Sequence, residues 1–104
     1  MNLPDTIQLE LIEAKLDTKL DVVETAKWVN IGKCLIMPNT SARLIKANDT
    51  EGYVYSYEVI MRKHKVYLPK EGDRIHITKK DGTIDKVCEV AGFVTLRNWV
   101  KIWV

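Results

Sequence analysis

Short runs in which apolar and polar residues alternate fill the second half of the chain. A period of two residues is typical of half-buried β-strands, and turn residues separate the runs at Pro69–Asp73 and Lys80–Gly82. This spacing predicts an all-β fold, a small antiparallel β-barrel or sandwich of about six to seven strands with one long projecting loop. We expect one β-barrel domain over residues 1–104. The predicted strands are Tyr53–Met61, Arg74–Thr78, Thr83–Phe93 and Asn98–Val104.

The first half is less regular but also favours strands. Thr6–Leu11 alternates strictly and places its three aliphatic residues on one face. Val22–Thr25 predicts a short strand, and Lys27–Met37 predicts a long one that Pro38–Asn39 ends. Lys15–Asp21 indicates a turn or loop, with a short helix as the less favoured alternative. In Lys27–Met37 the alternation predicts one face formed by Trp28, Asn30, Gly32, Cys34 and Ile36.

The segment Pro38–Gly52 is irregular. Connections of about 15 residues are uncommon in compact domains unless they are functional or disordered. The segment is polar at both ends around the more apolar Ala42–Ala47. Two interpretations stay open. In the first, the segment has no specific function and is a disordered tip or a longer hairpin in which residues 42–47 pair. In the second, it is a projecting loop that contacts a partner or lines a channel.

The alternation also predicts the core and one tight turn. Asp81-Gly82 between two strand-like runs is a strong hairpin signal, so we expect Gly82 to have a positive φ. His76 lies between two isoleucines and is expected to point outward. The residues predicted to be mostly buried are Trp28, Val59, Ile75, Ile77, Val87, Val90 and Ile102.

Charge adds a mild asymmetry. The net charge of +2 over 104 residues is too small to argue for nucleic-acid binding. Residues 1–52 carry six Lys/Arg against eight Asp/Glu, whereas residues 53–104 carry ten against six, which gives −2 and +4. Such a division suggests complementary faces more than a DNA-binding groove.

Compartment signals are few. Cys34 and Cys88 are far apart in sequence and lack metal-ligand spacing, which favours two buried reduced thiols in a cytoplasmic protein over a disulfide. The chain does not open with a basic stretch followed by an apolar run, so we expect no signal peptide. No apolar stretch approaches the ~20 residues of a membrane span, so we expect no membrane partner.

Catalytic chemistry is not indicated. His64 and His76 are the only histidines, and no Ser, Cys or Thr has an obvious base partner in the sequence. The glycines are dispersed and form no phosphate-binding loop. Because an enzyme needs a convergent set of nucleophile, base or ligand residues, we expect a non-enzyme with no catalytic residue, metal or cofactor.

The aromatic residues allow two interpretations. Tyr53, Tyr55 and Tyr57 alternate along one run and could stack on single-stranded nucleic acid, with cations following at Arg62, Lys63 and Lys65. These six residues define an alternative reading as a small nucleic-acid-binding barrel of OB or SH3-like type. For the tryptophans at 28, 99 and 103 we favour roles as core or interface anchors, because aromatic residues dominate both settings.

A Trp-containing strand at Lys27–Ile31 precedes a long loop, and a strand ending in Tyr57–Arg62 follows it. A turn at Gly72–Ile75 and a hairpin ending in Val90–Phe93 then lead to a closing strand. This order of elements resembles the head-tail joining proteins of tailed bacteriophages and prophages, also called head-closure or stopper proteins. The resemblance covers about Val22 to Val104 and rests on short motifs.

The resemblance implies a structural role. Such proteins are small β-barrels that assemble as a ring of identical subunits below the portal and adaptor, close the DNA exit after packaging and receive the tail. It further implies a loop, here Pro38–Gly52, that projects into the channel with Arg43 and Lys46 facing the packaged DNA. The implied location is the virion, after assembly in the bacterial cytoplasm. Another virion part with a similar barrel, such as a tail-completion protein, is a further alternative.

Overall fold

The computed structural model describes residues 2–39, 44–45 and 53–104, and these residues form β-strands joined by turns. None of them forms a helix with the length and apolar character that crossing a membrane would require. The predicted all-β class is confirmed. The strands are β1 (Asp5–Leu16), β2 (Val22–Pro38), β3 (Leu44–Ile45), β4 (Tyr53–Val54), β5 (Tyr57–Arg62), β6 (Arg74–Thr78), β7 (Asp85–Glu89), β8 (Gly92–Thr95) and β9 (Trp99–Trp103).

Seven of these strands form one antiparallel sheet in the order β7-β6-β1-β2-β5-β9-β8, and β3 pairs with β4 in a separate ribbon. The predicted strand at Arg74–Thr78 is β6, and the predicted closing strand is β9. Val22–Thr25 and Lys27–Met37 were expected as two strands, but they are one continuous strand of 17 residues.

The chain passes between the two edges of this sheet within two residues. β7 and β8 are consecutive in sequence yet lie at opposite edges. The N–H of Val90 donates to the carbonyl of Asp73 at 2.8 Å, and the N–H of Ala91 donates to the carbonyl of Trp103 at 2.7 Å. Since so short a link spans only about 10 Å, the edges must come together and the sheet curls. The single strand expected over Thr83–Phe93 is therefore two strands with different partners.

The concave side of the curled sheet holds an aliphatic core. Strands β1, β5, β6 and β9 each send alternate residues into it, as a period of two requires. Of the predicted core, Val59, Ile75, Ile77, Val90 and Ile102 are buried and confirmed. The full set of buried hydrophobic residues in this cluster is Ile7, Leu9, Ile31, Cys34, Ile36, Val59, Met61, Ile75, Ile77, Val90, Val100, Ile102 and Val104.

The prediction of burial is wrong for two residues. Trp28 is 37% exposed and Val87 is 41% exposed. Trp28 pairs with Glu10 across β1, and Val87 pairs with His76 across β6. Both pairs lie on the convex side, because their strand neighbours Leu9 and Ile77 point into the core.

A β-bulge in β2 explains the inverted face. Ile7 pairs with Gly32 whereas Gln8 pairs with Asn30, so Ile31 is an extra residue. Gly32 has φ +129°, a conformation that favours glycine, and its N–H donates to the Asn30 side chain at 2.9 Å. The bulge shifts the alternation by one residue. Consequently Ile31 and Cys34 both face the core, and the single face predicted from Trp28 to Ile36 does not exist.

A buried carboxylate ties three elements together at one end of the sheet. Asp5 is 1% exposed. Its Oδ2 accepts the N–H of Ile36 at 2.9 Å, and its Oδ1 accepts the N–H of Lys80 at 2.9 Å. The carboxylate thereby joins the start of β1 to the end of β2 and to the β6–β7 turn.

Both cysteines are free thiols, and Cys34 is buried. The pKa of Cys34 is raised to about 12, mainly by burial and also by the neighbouring Asp5 carboxylate, while the nearby Lys33 lowers it by a smaller amount. Burial also raises the pKa of Cys88. Because the thiolate is the reactive form, neither thiol is activated for nucleophilic chemistry.

The β1–β2 hairpin extends beyond the core. From Ile12 to Trp28 the residues are exposed, and we call residues 10–28 the arm. Its tip is a turn at residues 17–21, shorter than the turn or loop predicted at Lys15–Asp21 because Lys15 and Leu16 still pair in β1, and Leu20 has φ +63°. The Asp17 side chain accepts the N–H groups of Lys19 at 2.8 Å and Asp21 at 2.9 Å and so closes the turn.

Replacing Ile77 by Ala should destabilise the protein by about 2–5 kcal/mol, because the side chain is fully buried and its removal leaves a cavity. Urea denaturation followed by tryptophan fluorescence measures the change. Val87→Ala, on the convex side of the adjacent strand, is the matched control and should stay within about 0.5 kcal/mol. Equal losses for the two variants would contradict the assignment of inner and outer faces.

Replacing Gly82 by Val should also destabilise the protein. Gly82 has the predicted positive φ, at +78°, and its N–H donates to the carbonyl of Lys79 at 2.9 Å. Open space surrounds the position of an added Cβ, so the penalty comes from the backbone conformation and should be about 1–2 kcal/mol or more. Gly82→Asn should be better tolerated, since Asn adopts this conformation more readily. A thermal midpoint unchanged by Gly82→Val would refute the turn assignment.

Candidate nucleic-acid interface

A basic pocket of about 470 Å³ opens beside the bulge of β2. Its cationic side chains come from Lys33 on β2, from Arg62 at the end of β5, and from the segment that follows β5. The lining contains no aspartate or glutamate. The residues that line it are Leu3, Ile31, Gly32, Lys33, Arg62, Lys63, His64, Lys65 and Val66.

An aromatic contact positions Arg62, the last residue of β5, and a backbone hydrogen bond positions Lys63, which follows it. The guanidinium carbon of Arg62 lies 5.0 Å from the centre of the Trp99 ring, a cation–π contact on the convex side of the sheet. The N–H of Lys63 donates to the carbonyl of Asn98 at 3.0 Å. The backbone that carries both cations is thus attached to the β8–β9 turn.

His64 shapes the rim of the pocket. Its Nδ1 accepts the N–H groups of Val66 at 3.1 Å and Tyr67 at 3.0 Å, and its ring stacks on Tyr67 with centroids 5.5 Å apart. Nδ1 therefore carries no hydrogen in this arrangement, and the imidazole acts as a backbone clamp. The clamp holds the turn at residues 64–67. Lys65 lies in this turn and lines the pocket.

Four cations around an apolar floor provide an anion-binding surface. Lys33, Arg62, Lys63 and Lys65 can donate to phosphate oxygens, which is how proteins position themselves on a nucleic-acid backbone. Contacts of this kind carry no base specificity. The charge of the pocket lining therefore suits a phosphodiester.

The cations and the tyrosines that the sequence predicted to form one nucleic-acid-binding face lie apart in the structure. Arg62, Lys63 and Lys65 lie together at the pocket, but Tyr57 is at the other end of β5, five residues or about 16 Å from Arg62. Tyr57 packs partly against the core, and the Lys86 amino group lies 5.7 Å from the centre of its ring.

The expected row of stacking tyrosines is also interrupted. Tyr55 is 6% exposed and packs edge-on against Trp103 at 6.4 Å between ring centroids. The strand expected over Tyr53–Met61 breaks at Ser56, whose N–H donates to the carbonyl of Val104 at 2.7 Å. Tyr53 lies in the β3–β4 ribbon, and its side chain is not among those described. Tyr55 is thereby removed from any exposed stacking surface.

The two channel-loop residues implied by the family resemblance, Arg43 and Lys46, lie outside the described residues. The same holds for most of the segment Pro38–Gly52, of which the structure describes 38–39 and the backbone of 44–45.

His76 points outward, as predicted, and joins three strands on the convex side. Its Nδ1 lies 3.1 Å from Gln8 Oε1 on β1, and its Nε2 contacts the Asp85 carboxylate on β7. Trp28 packs edge-on against the imidazole at 6.0 Å between ring centroids. Asp81 lies in the following turn, where hydrogen bonds from Thr83 lower the pKa of its carboxyl group.

Across the described residues, no three His, Cys, Asp or Glu side chains gather as a metal site. Comparison of the chain with protein-family models, with curated proteins and with solved structures gives no match. Functional inference therefore rests on the geometry of this chain and on the resemblance of its sequence pattern.

Sequence reasoning missed Lys33 as a member of the basic cluster. Its alternation within β2 gave no reason to place it beside Arg62, which is 29 positions later in the chain. The only signal was Gly32, since an isolated glycine inside a strand often marks a bulge. The bulge changes the direction of the next side chain, and the β2–β5 pairing brings the two strands side by side.

Removing two pocket cations should weaken binding to duplex DNA and reduce its salt dependence. If Lys33 and Lys65 each contact a phosphate, the double variant Lys33→Ala/Lys65→Ala should lower the slope of log K against log salt by about 2. Fluorescence anisotropy of a labelled duplex across a salt series measures this slope.

The matched control is Lys19→Ala/Lys27→Ala, which removes the same charge from the arm. It should change the slope by much less. Equal effects of the two double variants would show that net charge, not the pocket, governs DNA affinity.

Proposed function

We propose that the protein is a structural subunit of a phage-type head-tail joining ring, which closes the DNA channel at the portal exit and receives the tail. The observation that carries the proposal is the anchoring of the long connection between β2 and β5. Pro38 and Tyr57 pair with each other in the sheet, so residues 39–56 leave and return at a single point.

Side-chain and backbone bonds close the base of this connection. The N–H of Asn39 donates to the carbonyl of Ser56 at 2.9 Å, and its Nδ2 donates to the carbonyl of Tyr55 at 2.8 Å. Further along, Leu44 pairs with Val54 and Ile45 with Tyr53. A connection whose two ends are fixed at one point of the sheet suits a channel loop, because its place on the fold is set.

Ring assembly accounts for the modest charge of the chain. One subunit contributes Arg43 and Lys46 to the connection, and a ring of identical subunits repeats both cations around the channel. A dense basic collar then faces the packaged DNA although each chain carries a net charge of only +2. The proposed partners are identical subunits, the portal or adaptor, tail proteins and DNA, and the proposed location is the virion.

A second candidate function is a small nucleic-acid-binding barrel, which the basic pocket favours. In that case DNA affinity would depend on Lys33, Arg62, Lys63 and Lys65. In the joining ring, retention of DNA would depend on Arg43 and Lys46 instead. The two candidates therefore predict different effects for substitutions at the two sites.

Deleting Ala42–Ala47 should leave the barrel folded, because the connection is anchored at Asn39 and Ser56, outside the deletion. Particles assembled with the deleted subunit should leak DNA or fail to mature. Thermal melting of the isolated subunit and nuclease protection of packaged DNA measure the two effects. Lys33→Ala/Lys65→Ala is the control in the same particles and should retain DNA normally. Full DNA retention by the deletion variant would refute the channel role.

A further inference from the structure

All three tryptophans lie on the convex side of the sheet. Trp28 pairs with Glu10, and β9 alternates so that Trp99 and Trp103 point away from the buried Val100 and Ile102. None of the three is fully buried. Since the core is filled with aliphatic side chains, the tryptophans do not serve it, and Trp is among the residues most enriched at interface anchor points.

One convex surface belongs to the arm. Two residues that pair between β1 and β2 point to the same side of the hairpin, and successive pairs point to opposite sides. In the arm, the pairs on the convex side are mainly apolar, whereas the pairs on the other side are mainly polar. Ile12 is 64% exposed, Leu16 66% and Val22 68%. We call this surface the arm face, and its apolar residues are Ile12, Ala14, Leu16, Val22, Ala26 and Trp28.

The second convex surface belongs to β5, β9 and β8. Val94 pairs with Lys101, which places it on the convex side, and it is 43% exposed. Trp99 stacks under Arg62, and Lys101 forms an ion pair with Glu58 at 3.4 Å. This surface, the β9 face, combines aromatic and aliphatic side chains with cations.

The two surfaces carry opposite charge. Residues 10–28 contain five Asp/Glu and three Lys, a net charge of −2. Residues 57–62 and 92–104, which include the β9 face, contain Arg62, Arg97 and Lys101 and one acidic residue, Glu58, a net charge of +2. Two arm faces therefore repel each other, as do two β9 faces, whereas an arm face attracts a β9 face. The charges thus favour a contact between unlike surfaces over a contact of two arms.

We propose that the arm face of one copy packs on the β9 face of a second copy of this chain, so that the arm is the subunit contact of the assembly. The contact is heterologous, because it joins different surfaces of the two copies, and repetition of such a contact generates a ring when the rotation closes. The inference rests on the proposed function for the identity of the partner as a second copy.

The size of the arm face sets the strength of one contact. Seven residues of each arm strand span about 23 Å, and two strands are about 10 Å wide, which gives roughly 230 Å² per side. Both sides together give roughly 460 Å², which is well below the ~1,200–2,000 Å² in total of specific stable interfaces. A single pair of copies should therefore associate weakly, and a covalent trap is needed to detect it.

Cysteine cross-linking between two separately purified variants tests the contact. In a Cys88→Ser background, Ala26→Cys places a thiol on the arm face and Val94→Cys places one on the β9 face. Cys34 stays buried and protonated. Thr25→Cys is the matched control, because Thr25 is exposed and adjacent to Ala26 but points to the other side of the arm.

A short bismaleimide should give covalent dimers at least fivefold more abundant when Ala26→Cys is mixed with Val94→Cys than when either is treated alone. Thr25→Cys mixed with Val94→Cys should give the background level. Dimers of Ala26→Cys alone at equal yield would indicate an arm-to-arm contact and overturn the proposal. Equal yields from Thr25→Cys, or no dimer in any mixture at high protein concentration, would overturn it as well.

The arm contact and the joining role can be tested separately. If the cross-link is absent while deletion of 42–47 releases packaged DNA, the arm contact is wrong and the joining function stands. If the cross-link forms while the deletion leaves DNA retention unchanged, the arm contact stands and the channel role falls.

Discussion

The passage of the chain from one sheet edge to the other at Val90–Ala91 is the constraint on which the rest of the structure depends. Seven strands laid flat would separate β7 from β8 by about 29 Å at the usual strand spacing, yet the linking peptide allows only about 10 Å. Curling is the only way to satisfy both distances. The curl creates the concave side that the aliphatic residues fill, and the hydrogen bonds of Val90 and Ala91 hold the two edges in place.

A small curled sheet leaves little internal volume, and this decides where the large side chains lie. Isoleucine, valine and methionine fill the concave side, so tryptophan is accommodated on the convex side. Among the residues that the structure describes, the buried interior is apolar apart from the Asp5 carboxylate, which accepts hydrogen bonds from backbone N–H groups. The features on which the proposals rest therefore lie outside the core, and they are the basic pocket, the apolar arm and the anchored connection.

Much of the fold was predictable from local pattern. The β6 strand and the Asp81-Gly82 turn follow from alternation and turn residues that act within a few positions. The inverted face of β2 was not predictable in this way, because a bulge is defined by the partner strand that it mismatches. The split at Val90 was hidden for a similar reason, since alternation continues across it while the pairing partner changes. The basic cluster escaped prediction because Lys33 and Arg62 meet only through strand pairing.

The continuous strand β2 has a mechanical consequence. It runs 17 residues from the arm at Val22 to the base of the long connection at Pro38, and the bulge at Ile31 lies between these two ends. An extended strand resists stretching, because its backbone is already close to full length. A force applied to the arm is therefore transmitted along the backbone of β2 to Pro38, where the long connection leaves the sheet. In the proposed assembly, the contact of the arm with a neighbouring copy and the position of the long connection are therefore linked through the backbone of one strand.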